Sequence, residues 1–158
     1  MTEDIRALLW NSMAESPFLM VKRNAGNDHA EPLIAQVDPN AHGAFWFYTS
    51  RDNRIAPGGP AMAQFVARDH SLFCCIAGTL VEESDPAVIS RYWTPTLEAW
   101  YDKGRDDPNL LVMRFDLDDA EIWKPDNSIE GLFRMMTGKA EAPREMGFHK
   151  TISLKHAG

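Results

Sequence analysis

Ala44-Phe45-Trp46-Phe47-Tyr48-Thr49-Ser50-Arg51-Asp52-Asn53-Arg54 is the stretch on which the reading of this chain turns. Its first part, through Thr49, is aromatic and β-favouring, the composition of a strand packed on both faces. The strand passes without a break into Ser50-Arg51-Asp52-Asn53-Arg54. Two hydroxyls and two guanidinium groups at a strand end can form an anion seat. Thr49 and Ser50 can donate O–H bonds, and Arg51 can fork two N–H groups onto phosphate oxygens. The plainer alternative is a buried strand followed by a solvated polar turn. Composition alone favours that alternative, because no glycine-rich cradle accompanies the run.

Upstream, Ile5, Leu8, Leu9 and Met13 recur at helical spacing and predict an amphipathic helix over residues 4–15, with Thr2 as its cap and Ser16-Pro17 as its stop. Residues 18–22 and 32–37 read as strands, separated by the turn-forming run 24–28. Downstream, the Pro and Gly residues of 55–60 rule out a regular helix. Met62, Phe65 and Val66 then predict a short helix over 61–68, lying across a barrel opening. Residues 71–82 carry the longest strand signal, and Gly78 within them marks a bulge or a close backbone approach. Asp85-Pro86 opens a long helix running to Trp100, which Pro95 should kink or interrupt near Trp93. Beyond the charged loop 102–108, residues 110–115 and 120–123 read as the last two strands, with an acidic turn at 116–119. Ile129, Leu132, Phe133 and Met136 predict a short helix ended by Gly138. Residues 139–158 read as a polar tail, mobile or laid over a partner subunit. The sum is a single domain over 1–138 of mainly β class. It is a six-stranded antiparallel barrel, closed or partly closed, with flanking helices.

Charge and composition narrow the function. The chain of 158 residues carries a formal charge of -7, with 44% hydrophobic and 25% charged residues. An acidic protein with scattered Lys and Arg is a poor partner for nucleic acid or an anionic membrane. No apolar run approaches the roughly 20 residues of a membrane helix. The acidic start Met1-Thr2-Glu3-Asp4 lacks the basic and apolar regions of a signal peptide, so a cytoplasmic setting is expected. Cys74 and Cys75 are adjacent in a strand, point to opposite faces and read as reduced, buried small hydrophobes. The five histidines, His29, His42, His70, His149 and His156, show no paired metal-ligand spacing. There is no Gly-x-Ser-x-Gly motif and no evident Cys–His pair. Trp93 and Trp100, seven apart, have ordinary core or interface spacing on one helix face.

The run Phe45-Trp46-Phe47-Tyr48-Thr49-Ser50-Arg51-Asp52 resembles the core motif of the pyridoxamine 5'-phosphate oxidase-like flavin-binding split barrels, most closely their general stress protein branch. Two further matches follow in the family's order: Trp93-Thr94-Pro95 with Ala99-Trp100-Tyr101, Gly104 and Asp106-Asp107-Pro108; then Arg114-Phe115-Asp116 with Ala120-Glu121-Ile122-Trp123. The resemblance implies a six-stranded antiparallel split β-barrel forming a homodimer, with FMN held between subunits. It implies that the phosphate sits on Thr49, Ser50 and Arg51, and the ring over Pro32, Leu33, Ile34 and Ala35. Trp123 either approaches the ring across the dimer interface or plugs the barrel. The chain departs from the family at two points. Glu31 stands where relatives carry a basic residue, and no Lys occurs between Lys22 and Lys103, which leaves Arg54 to stand in for the family's phosphate-holding lysine. The activity implied is that of an FMN-dependent oxidoreductase of unread substrate. The alternatives are a non-catalytic flavin-binding stress protein, or a related barrel that takes deazaflavin or haem.

Overall fold

A computed structural model describes residues 2–40, 43–125 and 147–155. Helix α1 (Thr2–Glu15) precedes strands β1 (Phe18–Arg23), β2 (Glu31–Gln36), β3 (Ala44–Ser50), β4 (Gly59–Val66) and β5 (Phe73–Glu82). Two short helices follow, α2 (Pro86–Arg91) and α3 (Pro95–Trp100), then β6 (Leu110–Pro125) and β7 (Gly147–Ser153). All strand pairings are antiparallel, in the order β3-β2-β1-β4-β5-β6-β7. β6 also pairs with β3, from Ala44↔Asp116 to Ser50↔Leu110, which closes the first six strands into a barrel. A closed six-stranded antiparallel β-barrel with few helices is the architecture expected.

The barrel interior is filled by alternate residues of each strand, as the two-residue period of a strand dictates. Phe45, Phe47, Phe65, Ile76, Met113 and Phe115 are fully buried there, and α1 delivers Leu9, Trp10 and Met13 to the same core. Each large side chain withdrawn from water contributes about 1.5–3 kcal/mol, the dominant favourable contribution to the fold.

Three sequence expectations need correction. Residues 61–68 are not a helix; Gly59–Val66 is β4, a full barrel strand between β1 and β5. Ala61, Ala63 and Phe65 point inward and Met62, Gln64 and Val66 outward, a two-residue alternation. It was hidden because alanines fill two of the inward positions, leaving Met62, Phe65 and Val66 to mimic a helical stripe. Second, residues 110–115 and 120–123 belong to one strand. β6 runs unbroken through the acidic residues, with Leu117 buried between half-buried Asp116 and Asp118. Third, the region expected as a tail supplies β7, which pairs with β6 from Asp119↔Ser153 to Pro125↔Gly147. The helix expected at 129–138 lies outside the described residues.

The bulge signalled by Gly78 is present. Ala77 faces Asp119 and Gly78 faces Leu117, so Asp118 is the extra residue. A Cβ on Gly78 would overlap the Asp116 carbonyl oxygen and lie 2.9 Å from Phe115 Cζ. Only glycine lets β5 approach β6 this closely. The bulge bends β6 where it exchanges neighbours, from β3 up to Asp116 to β7 from Asp119 onward.

Candidate functional site

The outward face of β3 differs from the inward one. Trp46 and Tyr48 are buried there against Leu97, Leu110 and Val112, with Val88, Ile89, Tyr92, Trp93 and Tyr101 packed around them. The Trp46 and Tyr92 rings stack at 4.7 Å, and Tyr48 meets Trp93 edge-on at 6.0 Å. Each buried polar atom of these rings has a partner, as burial requires. Trp46 Nε1 donates to Glu83 Oε1 (3.0 Å), Tyr48 OH to the Ile89 carbonyl (2.7 Å), and Tyr92 OH to Asp38 Oδ2 (2.7 Å). Glu83 is itself buried, and Arg114 Nη1 approaches the same oxygen at 3.5 Å. Burial, with Tyr92 and Glu83 nearby, pushes the Tyr48 phenol well above its ordinary value, so it stays a neutral donor.

This cluster fastens α2 and α3 over the end of β3. The Asp85 carboxylate caps α2 by accepting from Ala87 N, with Pro86 in the first turn. The Thr94 hydroxyl caps α3 by accepting from Leu97 N, with Pro95 next, so the expected interruption is a break into two helices. Tyr101 OH then reaches across to the Thr49 carbonyl (2.8 Å) and pins the far end of α3 to the strand.

Between α3 and β2 a cleft of about 590 Å³ opens. Its floor is Pro32, Leu33, Ile34 and Gln36 of β2, and its back is Tyr48, Thr49 and Ser50 of β3. Thr94, Thr96, Leu97, Trp100 and Tyr101 form the opposite wall, with Phe18 at the rim. Phe18 (57% exposed), Ile34 (38%) and Trp100 (64%) present apolar surface to water. Such surface in a concave site is what a flat, largely apolar ligand would cover. Among the described residues, the titratable groups in the lining are the two tyrosines. Burial raises the Tyr101 phenol as it does that of Tyr48.

The sequence-derived candidates divide. Pro32, Leu33, Ile34, Thr49 and Ser50 come together in the cleft. Ala35 alternates inward and is buried in the barrel core. Arg51 turns away: its Nη1 pairs with Glu82 Oε1 at 2.9 Å and its Nε donates to the Pro108 carbonyl at 3.2 Å. Arg54 lies in a neighbouring polar hollow of about 560 Å³ lined by Asn27, Asp28, His29, Glu31, Asp52 and Asn53. There its Nε pairs with Glu31 Oε2 (3.2 Å) and its Nη1 donates to the His29 carbonyl (2.9 Å). Trp123 does not line the cleft; it stacks on His149 of β7 at 4.8 Å, and His149 Nε2 meets Glu121 Oε1 at 2.7 Å.

The α3 wall is the part that sequence reasoning missed. Seven positions from Trp93, Trp100 has the spacing of a core or interface residue. Pro95 breaks the helix between them, so the period does not carry over, and Trp100 stands in the cleft. The consecutive Thr94-Pro95-Thr96, a capped helix start followed by Trp100 and Tyr101, is the available signal. Among the described residues no group of three or more His, Cys, Asp or Glu side chains is arranged to hold a metal ion, and no helix is long and apolar enough to cross a membrane. Cys74 and Cys75 are free; burial pushes the Cys74 thiol up to about 12 and raises that of Cys75 as well.

A sequence profile of the family described as pyridoxamine 5'-phosphate oxidase like matches residues 4–144. Among solved structures, a protein assigned to the general stress family from Xanthomonas campestris pv. campestris is 34% identical. It superposes with a TM-score of 0.75 over 82% of this chain and 92% of its own. A general stress FMN/FAD binding protein from Xanthomonas citri is also 34% identical, with a TM-score of 0.73 over 80% of this chain and 93% of its own. A general stress protein 26 from Jannaschia sp. is 22% identical and shares the fold, at a TM-score of 0.76 over 97% of this chain and 99% of its own. Among curated proteins none shows significant similarity.

Proposed function

The chain belongs to the pyridoxamine 5'-phosphate oxidase-like family, and on that premise we propose that it binds a flavin ring in the cleft between β2 and α3. The observation that carries this reading is the cleft itself. Pro32, Leu33 and Ile34 offer a flat apolar floor, Trp100 and Tyr101 offer aromatic faces, and Gln36, Thr49 and Ser50 offer polar contacts along one side. The 34%-identical Xanthomonas citri protein, an FMN/FAD binding protein, supports the same ligand class.

A bound flavin would supply hydride or electron transfer, and the chain would supply position and exclusion of water. No carboxylate, imidazole or amine lines the cleft among the described residues, so the polypeptide offers no ordinary general acid or base. That favours an oxidoreductase in which the chemistry belongs to the flavin and the substrate stacks against the ring. A storage protein would retain the flavin without turnover.

The working unit we propose is a homodimer. Phe18, Met20, Ile34, Met62 and Val66 are exposed on the adjoining strands β2, β1 and β4. The pairing Phe18↔Ile34 makes their patch continuous with the cleft rim, so a second copy seated there would close the cleft. In such a dimer Trp123 of one copy could approach the ring of the other. The free cysteines suit a reducing compartment, and a cytoplasmic setting is part of this proposal.

Incubation with flavins, desalting and a visible spectrum test the reading. A flavin band retained near one per chain, followed by its bleaching and turnover with reduced nicotinamide nucleotide, is the expected result. Loss of every flavin on desalting and in equilibrium dialysis would refute it.

A further inference from the structure

We propose that the site selects its flavin by the ring and an uncharged polyol chain, and holds riboflavin at least as tightly as FMN. This rests on the flavin reading above and concerns only what lies beyond the ring. FMN ends in a phosphate, and the residues that would have to receive it do not fit a dianion.

The cleft lining contains no Lys, Arg or His among the described residues; its polar side-chain groups are hydroxyls, the Gln36 amide and the Trp100 indole N–H. Both nearby arginines are already neutralised, Arg51 by Glu82 and Arg54 by Glu31, and each gives a further N–H to a carbonyl. The pairs are partly exposed, so parting one costs little. The carboxylate nevertheless remains beside the seat, and the arriving phosphate meets a neutral pair rather than a free positive charge. Around Arg54 the balance is worse, since the polar hollow holds Asp28, Glu31 and Asp52 against one guanidinium and the His29 imidazole.

The same groups suit hydroxyls. Asp28, Glu31 and Asp52 line the hollow, and their carboxylates accept from hydroxyls. A phosphate dianion has no proton to give them, whereas the terminal 5'-hydroxyl that riboflavin carries in its place has one; the other ribityl hydroxyls are common to both flavins. The route from ring to hollow is short along the chain. Pro32 and Ser50 line the cleft while Glu31 and Asp52 line the hollow, and Ser50 Oγ donates to Asp52 Oδ1 at 2.6 Å. At the position where family resemblance implies a base, Glu31 exchanges phosphate recognition for hydroxyl recognition.

Titrations of the full-length protein with riboflavin, FMN and lumiflavin, followed by flavin fluorescence, decide the matter. Riboflavin should bind as tightly as FMN or tighter, and about 3–10-fold more tightly than lumiflavin, which lacks the polyol. Raising salt from about 0.02 to about 0.5 M should tighten FMN by screening the carboxylates and leave riboflavin unchanged. Glu31→Gln should gain severalfold for FMN and lose for riboflavin. FMN binding tenfold or more tightly than riboflavin, and weakened by salt, would overturn the inference while the flavin reading stood. It would mean that a cation reaches the phosphate, from a released arginine or from a second copy. Equal affinity for riboflavin and lumiflavin would also overturn it. Binding of none of the three would overturn both.

Discussion

The two faces of β3 bury side chains of similar size by different means. Inward, Phe45 packs on Phe47 at 5.5 Å and on Phe115 at 5.4 Å, hydrocarbon against hydrocarbon with no polar atom to satisfy. Outward, Trp46 and Tyr48 are nearly as buried, but each carries a polar atom tied to a named partner, Glu83 or the Ile89 carbonyl. Apolar packing is strong and indifferent to direction, whereas a buried hydrogen bond contributes less and fixes orientation. The inner face should therefore set how stable the barrel is. The outer face should set where α2 and α3 stand, and with them the shape of the cleft.

Truncating the inner face should give the largest effect. Phe47→Ala is expected to cost about 3–5 kcal/mol in chemical denaturation, with flavin affinity unchanged in the fraction that remains folded. A selective loss of affinity would break the division of labour. On the outer face, Glu83→Ala removes the partner of Trp46 and leaves Arg114 with Asp116 alone. A loss of about 1–3 kcal/mol is expected, with a fall in flavin affinity out of proportion to it. Tyr101→Phe deletes only the bond to the Thr49 carbonyl. About 0.5–1.5 kcal/mol of stability should go, and α3 should show faster amide exchange while the barrel strands do not. Arg51→Ala, at the tip of the strand beyond both faces, should change stability by about 0–1 kcal/mol, since its pair with Glu82 is exposed.

Alkaline titration sharpens the same contrast without a mutation. All three tyrosines of the chain belong to the outer cluster, and burial raises each phenol above its ordinary value. The folded state thus favours the neutral form. Its contribution to stability is complete below about pH 10, where unfolded tyrosine begins to ionise, and declines as the pH rises from there towards the folded-state values. Phenolate absorbance should lag behind that of free tyrosine, and should appear together with loosening of α2 and α3.

The sequence made the inner face legible and the site only in part. A run of consecutive aromatics identified β3, Gly78 the bulge between β5 and β6, and Asp85-Pro86 and Pro95 the breaks around α2 and α3, because each acts through local backbone preference. β4 was misread because small inward alanines carry little periodic signal. The apolar floor of the cleft, Pro32 to Ile34, came with its strand. The fate of Arg51 and Arg54 did not, because their partners Glu82 and Glu31 are brought to them only by sheet pairing and loop closure, at distances along the chain that no local pattern encodes. The α3 wall was hidden for a related reason, since Pro95 resets the helical phase and turns Trp100 from an expected packing position into a cleft residue.

The most direct test of the central claim is a riboflavin titration of the wild-type chain beside Ile34→Asp. Ile34 is 38% exposed on the cleft floor, so the barrel should tolerate the change, while a carboxylate beneath the ring should not be tolerated by the ligand. A fall in affinity of about tenfold or more is the predicted result, equivalent to about 1.4 kcal/mol. Identical affinity in the two proteins would place the flavin elsewhere and contradict the account.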